Sequence, residues 1–281
     1  MKWRGRRGSS NIEDRRKVRA TRVGGIGGLG LIVVVLVGLM LGVDVTPFLQ
    51  DASQFDTGGS AELTAEDEAA GQFASVTLAD TEAVWADIFP VQVGDPYNPV
   101  TLVLFKNATQ SACGGANGAT GPFYCPSDKK AYLDTAFFTT LSRRLGAKGD
   151  FASAYVIAHE VAHHVQDELG ILSQAKRIRA TANQADANAI SVRIELQADC
   201  YSGIWARHAE EKLGTIERGD IAEAMNAAKQ IGDDTLQRNA GQRPMPHTFT
   251  HGTSQQRMRW FETGYRTGDM RACDTFGADR L

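Results

Sequence analysis

The pattern of apolar and polar positions divides the chain into an apolar N-terminal run, a middle part with strands and a long helical part. Residues 23–43 form an uncharged run of 21 residues, which is long enough to cross a bilayer as a helix. Residues 100–105 (V-T-L-V-L-F) and 130–134 predict two strands. Helices are predicted at 61–89, 135–145, 150–169, 186–213, 217–231 and 253–265. The pattern predicts an α+β fold, mainly helical with a small sheet, behind one N-terminal transmembrane helix.

The charges that flank residues 23–43 predict the orientation of the chain. Nine Lys and Arg residues precede this run against only Glu13 and Asp14, so the positive-inside rule keeps the N-terminus in the cytoplasm. A cleaved signal peptide is the alternative, but no small-x-small cleavage site follows the run closely. We expect a single-pass protein of the bacterial cell membrane with its C-terminal domain in the periplasm or outside the cell. Its expected parts are a basic cytoplasmic tail (1–22), a transmembrane helix (23–43), a linker (44–60) and an outer domain (61–281).

Net charge narrows the expected partners. The whole chain carries a formal charge of −3, and the part beyond residue 43 carries about −10. Such an acidic outer domain argues against binding to nucleic acid and to an anionic membrane surface. Contact with the lipid bilayer is expected through residues 23–43, with contact between the basic tail and anionic lipid heads as a secondary use.

The four cysteines all follow the apolar run, at Cys113, Cys125, Cys200 and Cys273. An even number in an exported domain favours two disulfides, and three pairings are open. We favour Cys113–Cys125, which closes a glycine-rich loop, and Cys200–Cys273, which ties down the C-terminal tail.

Two histidines at helical spacing give the strongest chemical signal. His159-Glu160-Val161-Ala162-His163 is an H-E-x-x-H motif inside the predicted helix 150–169. Residues i and i+4 share a helix face, so both imidazoles can bind one cation. Glu160 is then placed to take a proton from a water polarised by that cation, here predicted to be one catalytic Zn²⁺. His164 points about 100° away from His163 and is not expected to be a ligand. A core helix with polar residues on its outer face is the alternative.

The helix predicted at 186–213 offers a third ligand. Glu195 and Asp199 lie four residues apart and share a face. Glu195 as ligand leaves the fourth zinc position to water, which is typical of catalytic sites. Asp199 is then suited to accept a hydrogen bond from a ligand histidine. A solvated acidic face is the alternative for this pair taken alone. Cys200 faces about 140° away from Glu195, so it is not expected to bind the metal.

These motifs together resemble those of known metallopeptidases. H-E-x-x-H followed by E-x-x-x-D resembles the gluzincins, and the chain is more closely similar to the bacterial family called "putative neutral zinc metallopeptidases". The similar segments are Tyr124–Asp128, Tyr132–Asp134, Ala158–His164, Glu195–Cys200, Gly232–Asp234 and Phe249–Ser254. The resemblance implies a zincin-like fold and a peptidase whose substrate is a protein or peptide. It also implies that an edge strand receives the extended substrate, and residues 130–134 are our candidate.

His251 is a further candidate catalytic residue. The segment from Thr250 to Arg257 resembles the T-H-P-x-x-x-x-R stretch of membrane-bound gluzincins, with Gly252 in place of the proline. The resemblance implies that His251 donates a hydrogen bond to the oxyanion of a tetrahedral intermediate. A loop or helix-capping histidine is the alternative. Arg257 is expected to position Glu195 or the substrate.

The sequence as a whole predicts a membrane-anchored zinc peptidase that works outside the cytoplasm by a zinc-activated water and a glutamate base. Two other classes stay open. A non-catalytic envelope scaffold that keeps zinc for stability would not need the general base Glu160. A zinc hydrolase of a non-peptide amide would share the whole site with a peptidase.

Overall fold

A capping box begins the first long helix of the protein. In the computed structural model, which describes residues 1–17, 62–117 and 120–281, this helix is α1 (Ala65–Gln92). The Thr64 side chain accepts a hydrogen bond from the Asp67 backbone, and the Asp67 side chain accepts one from the Thr64 backbone. Two backbone donors are thereby satisfied at the helix start. Pro90 lies in the last turn of α1, whereas the pattern predicted that the helix ends before it.

Six strands form two small sheets in the described residues. They are β1 (Ile12–Asp14), β2 (Thr101–Phe105), β3 (Ala108–Ser111), β4 (Gly114–Asn117), β5 (Phe123–Cys125) and β6 (Lys130–Asp134). The larger sheet has the order β1-β2-β6-β5, in which β5 pairs antiparallel and the other neighbours pair in parallel. The two predicted strands, β2 and β6, are therefore its interior strands. The expectation that residues 130–134 form a substrate-binding edge is wrong, because in the described sheet β1 and β5 are the edges.

The described residues contain eight α-helices, and seven of them follow α1. After α1 they are α2 (Phe137–Arg143), α3 (Asp150–Glu168), α4 (Ile171–Arg179), α5 (Gln184–His208), α6 (Asp220–Gln230), α7 (Asp233–Asn239) and α8 (Ser254–Thr267). Helix α3 packs against α1, α5 and α6, and α5 also packs along α8. The core between them contains fully buried large side chains such as Phe151, Tyr155, Trp205 and Phe261.

Helices α5 and α8 approach each other at two glycines. A Cβ atom on Gly203 would lie 2.0 Å from the carbonyl oxygen of Phe261, and one on Gly264 would lie 1.8 Å from that of Cys200. No real side chain fits at such distances, so the close approach of the two backbones requires glycine at both positions. Helix α5, which carries Glu195 and Asp199, is thereby fixed against α8.

Both expected disulfides are confirmed. Cys113–Cys125 closes the glycine-rich segment, which was expected to be a loop and in which Gly114–Asn117 form β4, paired with β3. Cys200–Cys273 joins α5 to a short 3₁₀ segment that follows α8, Met270–Cys273. The described residues contain no free cysteine.

Residues 1–16 belong to the same compact unit as residues 64–281. Strand β1 pairs with β2, Arg6 forms an ion pair with the buried Asp80, and Ser9 donates a hydrogen bond to Glu82. The predicted topology placed residues 1–22 and 61–281 on opposite sides of a membrane. Strands of one sheet lie on the same side, so the prediction of a cytoplasmic N-terminus with an exported domain is wrong.

The described residues contain no helix that is both long and apolar enough to cross a bilayer. Even α1, the longest, carries acidic residues such as Asp80, Glu82 and Asp87. The predicted fold class, a domain behind an N-terminal transmembrane helix, is corrected to a mixed fold of helices and small sheets. Residues 23–43, for which membrane spanning and bilayer contact were predicted, and the linker 44–60 lie outside the described residues.

Candidate metal centre

Helix α3 holds both histidines of the H-E-x-x-H motif on one buried face. The rings of His159 and His163 lie 4.8 Å apart between centroids. Glu160 is also buried. The N-cap of the helix is Gly149, and Asp150 is the first helical residue, where the sequence pattern also placed the start of the helix. Gly170 follows the helix with φ of 73°, as expected for a glycine that ends it.

Glu195 from α5 completes a cluster of three candidate ligands. Its carboxylate oxygens lie 3.0 Å from His159 Nε2 and 3.5 Å from His163 Nε2. With zinc–ligand bonds of about 2.0–2.1 Å, neighbouring ligands of a tetrahedral zinc are roughly 3.3 Å apart. These donor atoms therefore fit a zinc ion in number, chemistry and spacing. Sequence reasoning named all three residues, and the structure brings them together.

Asp199 fixes the orientation of His159. Its Oδ1 lies 2.9 Å from His159 Nδ1, so the ring donates there and leaves Nε2 facing Glu195. Tyr155 donates to the same oxygen at 2.5 Å, and Arg257 donates to both oxygens at 2.8 and 3.0 Å. The expectation for Asp199 agrees with this geometry. Arg257 holds Asp199, whereas the sequence suggested that it holds Glu195 or the substrate.

The electrostatics of this cluster favour a cation between its carboxylates. Burial lowers the pKa of His159, but hydrogen bonds to Asp199 and Glu195 outweigh it and raise the pKa to about 10. Burial raises the pKa of both carboxyl groups, but His163 lowers that of Glu195 and Arg257 lowers that of Asp199, and both end below their usual values. Two anions inside the protein require positive charge nearby. A metal dication would meet this requirement and take the Nε2 lone pair in place of a proton.

Glu160 has the environment of a base. Burial raises its pKa above the usual value, against the opposite effect of His163 and His159. A higher pKa makes the carboxylate a stronger proton acceptor, which suits a group that must take a proton from water near neutral pH.

His251 stands near the same cluster and is held by Asp233. Its Nδ1 lies 3.3 Å from Asp233 Oδ1, and Asp233 Oδ2 accepts hydrogen bonds from the backbone of Thr250, His251 and Gly252 at 2.7–3.0 Å. Burial lowers the pKa of His251, but Asp233 and Glu195 raise it above its usual value. Sequence reasoning gave Asp233 no role. The sequence signal that could have identified Asp233 is its place in Gly232–Asp234, one of the segments that resemble the family.

Two residues near the motif do not join the cluster, as expected. His164 points away from it, with Nδ1 3.1 Å from the Tyr124 hydroxyl and Nε2 2.7 Å from the carbonyl oxygen of Asn98. Cys200 is committed to its disulfide.

Comparisons with known proteins give a family and several relatives. The sequence model of a family described as "Putative neutral zinc metallopeptidase" matches residues 1–276. "Uncharacterized protein YpfJ" of Escherichia coli K12 is 43% identical over 286 residues, covering 99% of both chains. "Uncharacterized protein Rv2575" of Mycobacterium tuberculosis is 40% identical over 241 residues, covering 82% of this chain and 77% of the relative. No solved structure matches the chain.

Proposed function

Because the chain belongs to the family described as "Putative neutral zinc metallopeptidase", we propose that it is a zinc-dependent peptidase with Glu160 as its general base. The observation that carries the proposal is the convergence of His159 Nε2, His163 Nε2 and the Glu195 carboxylate beside a buried Glu160. A site built only for stability gains nothing from a buried, unpaired carboxylate at this position, since burying a charge costs free energy.

The proposed zinc ligands and the residues that contact them have different roles. His159, His163 and Glu195 would hold one zinc ion, and Asp199 orients His159 for that task. When bound, zinc supplies Lewis acidity that activates water and polarises the scissile carbonyl. The protein would provide three donors to the ion, the number that is typical of catalytic zinc sites.

Glu160 and His251 handle protons in the proposed reaction. The Glu160 carboxylate accepts a proton from the attacking water and returns it to the amine of the leaving peptide. His251, whose pKa is raised by Asp233, donates a hydrogen bond to the oxygen of the scissile carbonyl as negative charge develops there. Neither step changes the oxidation state of any group, and the proton taken from water ends on the new amino terminus.

Glu160→Gln is the test of the proposal. Because the amide cannot accept the water proton, hydrolysis of a denatured protein substrate should fall by about 10²–10⁴-fold. Zinc content, measured by atomic emission, and thermal stability should stay near wild type, because Glu160 is not a ligand. Glu211→Gln, which makes the same change on an exposed side chain, serves as the control and should keep full activity.

The same experiment distinguishes the alternatives. The protein is a zinc-stabilised scaffold if the wild type binds zinc but cleaves no protein, and if the Glu160→Gln variant retains the cellular function. Cleavage of small amides by wild-type protein, lost in Glu160→Gln while proteins stay intact in both, would identify a non-peptide amide hydrolase.

A further inference from the structure

A chain of hydrogen bonds through two buried glutamines leads away from the second histidine of the metal centre. His163 Nδ1 lies 2.8 Å from Gln166 Oε1. Gln166 Nε2 donates to Gln197 Oε1 at 3.0 Å, and Gln197 Nε2 donates to the carbonyl oxygen of Cys273 at 3.1 Å. Gln166 is fully buried and Gln197 is 5% exposed. Water is therefore excluded from both glutamines.

The carbonyl of Cys273, at the far end of this series of hydrogen bonds, determines the direction of every hydrogen bond in the series. A backbone carbonyl can only accept, so Gln197 must turn its NH₂ group towards Cys273 and its oxygen towards Gln166. Gln166 must in turn present NH₂ to Gln197, and it donates a second hydrogen bond to the carbonyl oxygen of Ile194 at 2.8 Å. Its oxygen is left to face His163. The ring must therefore carry its proton on Nδ1, which leaves the Nε2 lone pair for a metal.

Cys273 is itself held in place relative to the metal-binding helix. Its disulfide partner Cys200 lies on α5, three residues after Gln197. Thr275 donates to the carbonyl oxygen of Arg193, and Arg193 donates back to that of Thr275. The Cys273 carbonyl, at which this series of hydrogen bonds ends, is therefore fixed to α5, the helix that provides Glu195.

We infer that Gln166 and Gln197 are positioning residues, which set the tautomer and ring orientation of His163 for metal binding. The inference rests on the metal site of the proposed function. It explains why the two histidines have different partners: a carboxylate at the position of Gln166 would add a further anion to a buried site that already contains Glu160, Glu195 and Asp199. Neutral amides orient His163 without that charge.

The first test compares two substitutions of Gln166 in the purified full chain. Gln166→Met removes the acceptor for His163 and should weaken zinc binding by about 10–100-fold, measured by competition with a chelator. Gln166→Glu keeps an acceptor for His163 but places a negative charge against the carbonyl oxygen of Ile194 and the Oε1 atom of Gln197. It should therefore be less stable than Gln166→Met. We nevertheless expect it to bind zinc more tightly than Gln166→Met. If position 166 only stabilised the fold, zinc affinity would follow stability and the order would be reversed.

The second test acts at a distance and does not depend on Gln166→Glu folding. Gln197 makes no hydrogen bond to His163, yet Gln197→Met should weaken zinc binding by several fold, roughly the lower part of the range for partners of ligand histidines. In the double variant with Gln166→Met, the Gln197 substitution should add nothing, because the route to His163 is already broken. Ser202→Ala, which removes another buried hydrogen bond of α5, is the control and should bind zinc as wild type does.

A third measurement reads the histidine without metal. Nitrogen-15 shifts of His163 in metal-free wild-type protein should show that its neutral ring carries the proton on Nδ1. Gln166→Met should introduce a population protonated only on Nε2. Wild-type shifts in Gln166→Met, additive losses in the double variant or an unchanged affinity of Gln197→Met would each overturn the inference. These three measurements concern zinc binding and the His163 ring, so they still test the inference if the Glu160→Gln experiment shows that the protein is not a peptidase.

Discussion

Asp233 shows at the scale of single residues what sequence patterns miss. His159 and His163 could be named because helical spacing places them on one face, and Glu195 because it shares a face with Asp199 and follows the H-E-x-x-H motif in the chain. Asp233 acts on backbone N–H groups of the segment that contains His251, 17–19 residues away. No spacing rule links such positions, since the contact depends on how α7 packs beside that segment. The same holds for Gln166 and Gln197, which have no motif of their own.

Asp233→Asn should impair catalysis and leave zinc binding unchanged. The asparagine oxygen can still accept from the backbone, but the carboxylate charge that raises the pKa of His251 is lost. His251 should then lose its proton at a lower pH, so the alkaline limb of the pH–rate profile should shift to lower pH. We expect kcat to fall by about tenfold at neutral pH, since a donor to the oxyanion is weakened.

The neighbouring variant Asp234→Asn is the matched control. Asp234 binds Ser254 and Arg238 and has no contact with His251, so its pH–rate profile should match that of wild type. A profile for Asp233→Asn with an unshifted alkaline limb would remove His251 from the proposed mechanism.

At the scale of elements, sequence patterns predicted the long helices and the two buried strands, and the family resemblance is confirmed. The errors have physical causes. Strands β1 and β5 have three residues each, which is too short for an alternating pattern to appear. Helix α4 was not predicted, although Ile171, Leu172, Ala175 and Ile178 recur in it at helical spacing. The role of β6 as an interior strand depends on β5 pairing beside it, and this pairing was not visible in the sequence.

The contact between α5 and α8 makes a testable prediction. Gly264→Ala should raise the helix propensity of α8 by about 1 kcal/mol, yet we expect net destabilisation of about 1–3 kcal/mol or more because its Cβ collides with the Cys200 carbonyl. The displacement of α5 should also weaken zinc binding, since Glu195 and Asp199 move with it. Urea unfolding and chelator competition measure the two effects.

Glu262→Ala, an exposed change in the same helix, controls for propensity and should alter neither quantity by much. An equally stable Gly264→Ala protein would mean that the two helices can separate without cost, and that the glycines do not fix the position of α5.

At the scale of the whole molecule, the N-terminal segment belongs to the same compact unit as the candidate metal centre. Arg6 lies against Asp80, whose side chain is only 4% exposed. Burial raises the pKa of Asp80 above its usual value, and Arg6 opposes that rise. A carboxyl group with a raised pKa in the folded state favours folding when protonated. Its contribution is therefore present at low pH and is lost as the pH rises through the raised pKa.

Arg6→Ala should enlarge this loss. Without the guanidinium, the buried carboxylate has no cation, and we expect destabilisation of about 2–4 kcal/mol at pH 7 and much less at pH 4. Urea unfolding of the variant and of wild type across this range gives the difference. In protein that carries Asp80→Asn the titrating group is absent, so the destabilisation that Arg6→Ala causes there should no longer depend on pH. A difference that does not change with pH would show that Arg6 acts only through packing.

The parallel pairing of β1 with β2 also has a consequence for the order of events during synthesis. Ile12 is paired with Leu102, about 90 positions later in the chain. A ribosome that adds roughly 5–20 residues per second needs about 5–20 s to make the stretch between them. Strand β1 therefore leaves the ribosome well before β2, and its unsatisfied backbone groups are available to chaperones throughout that interval.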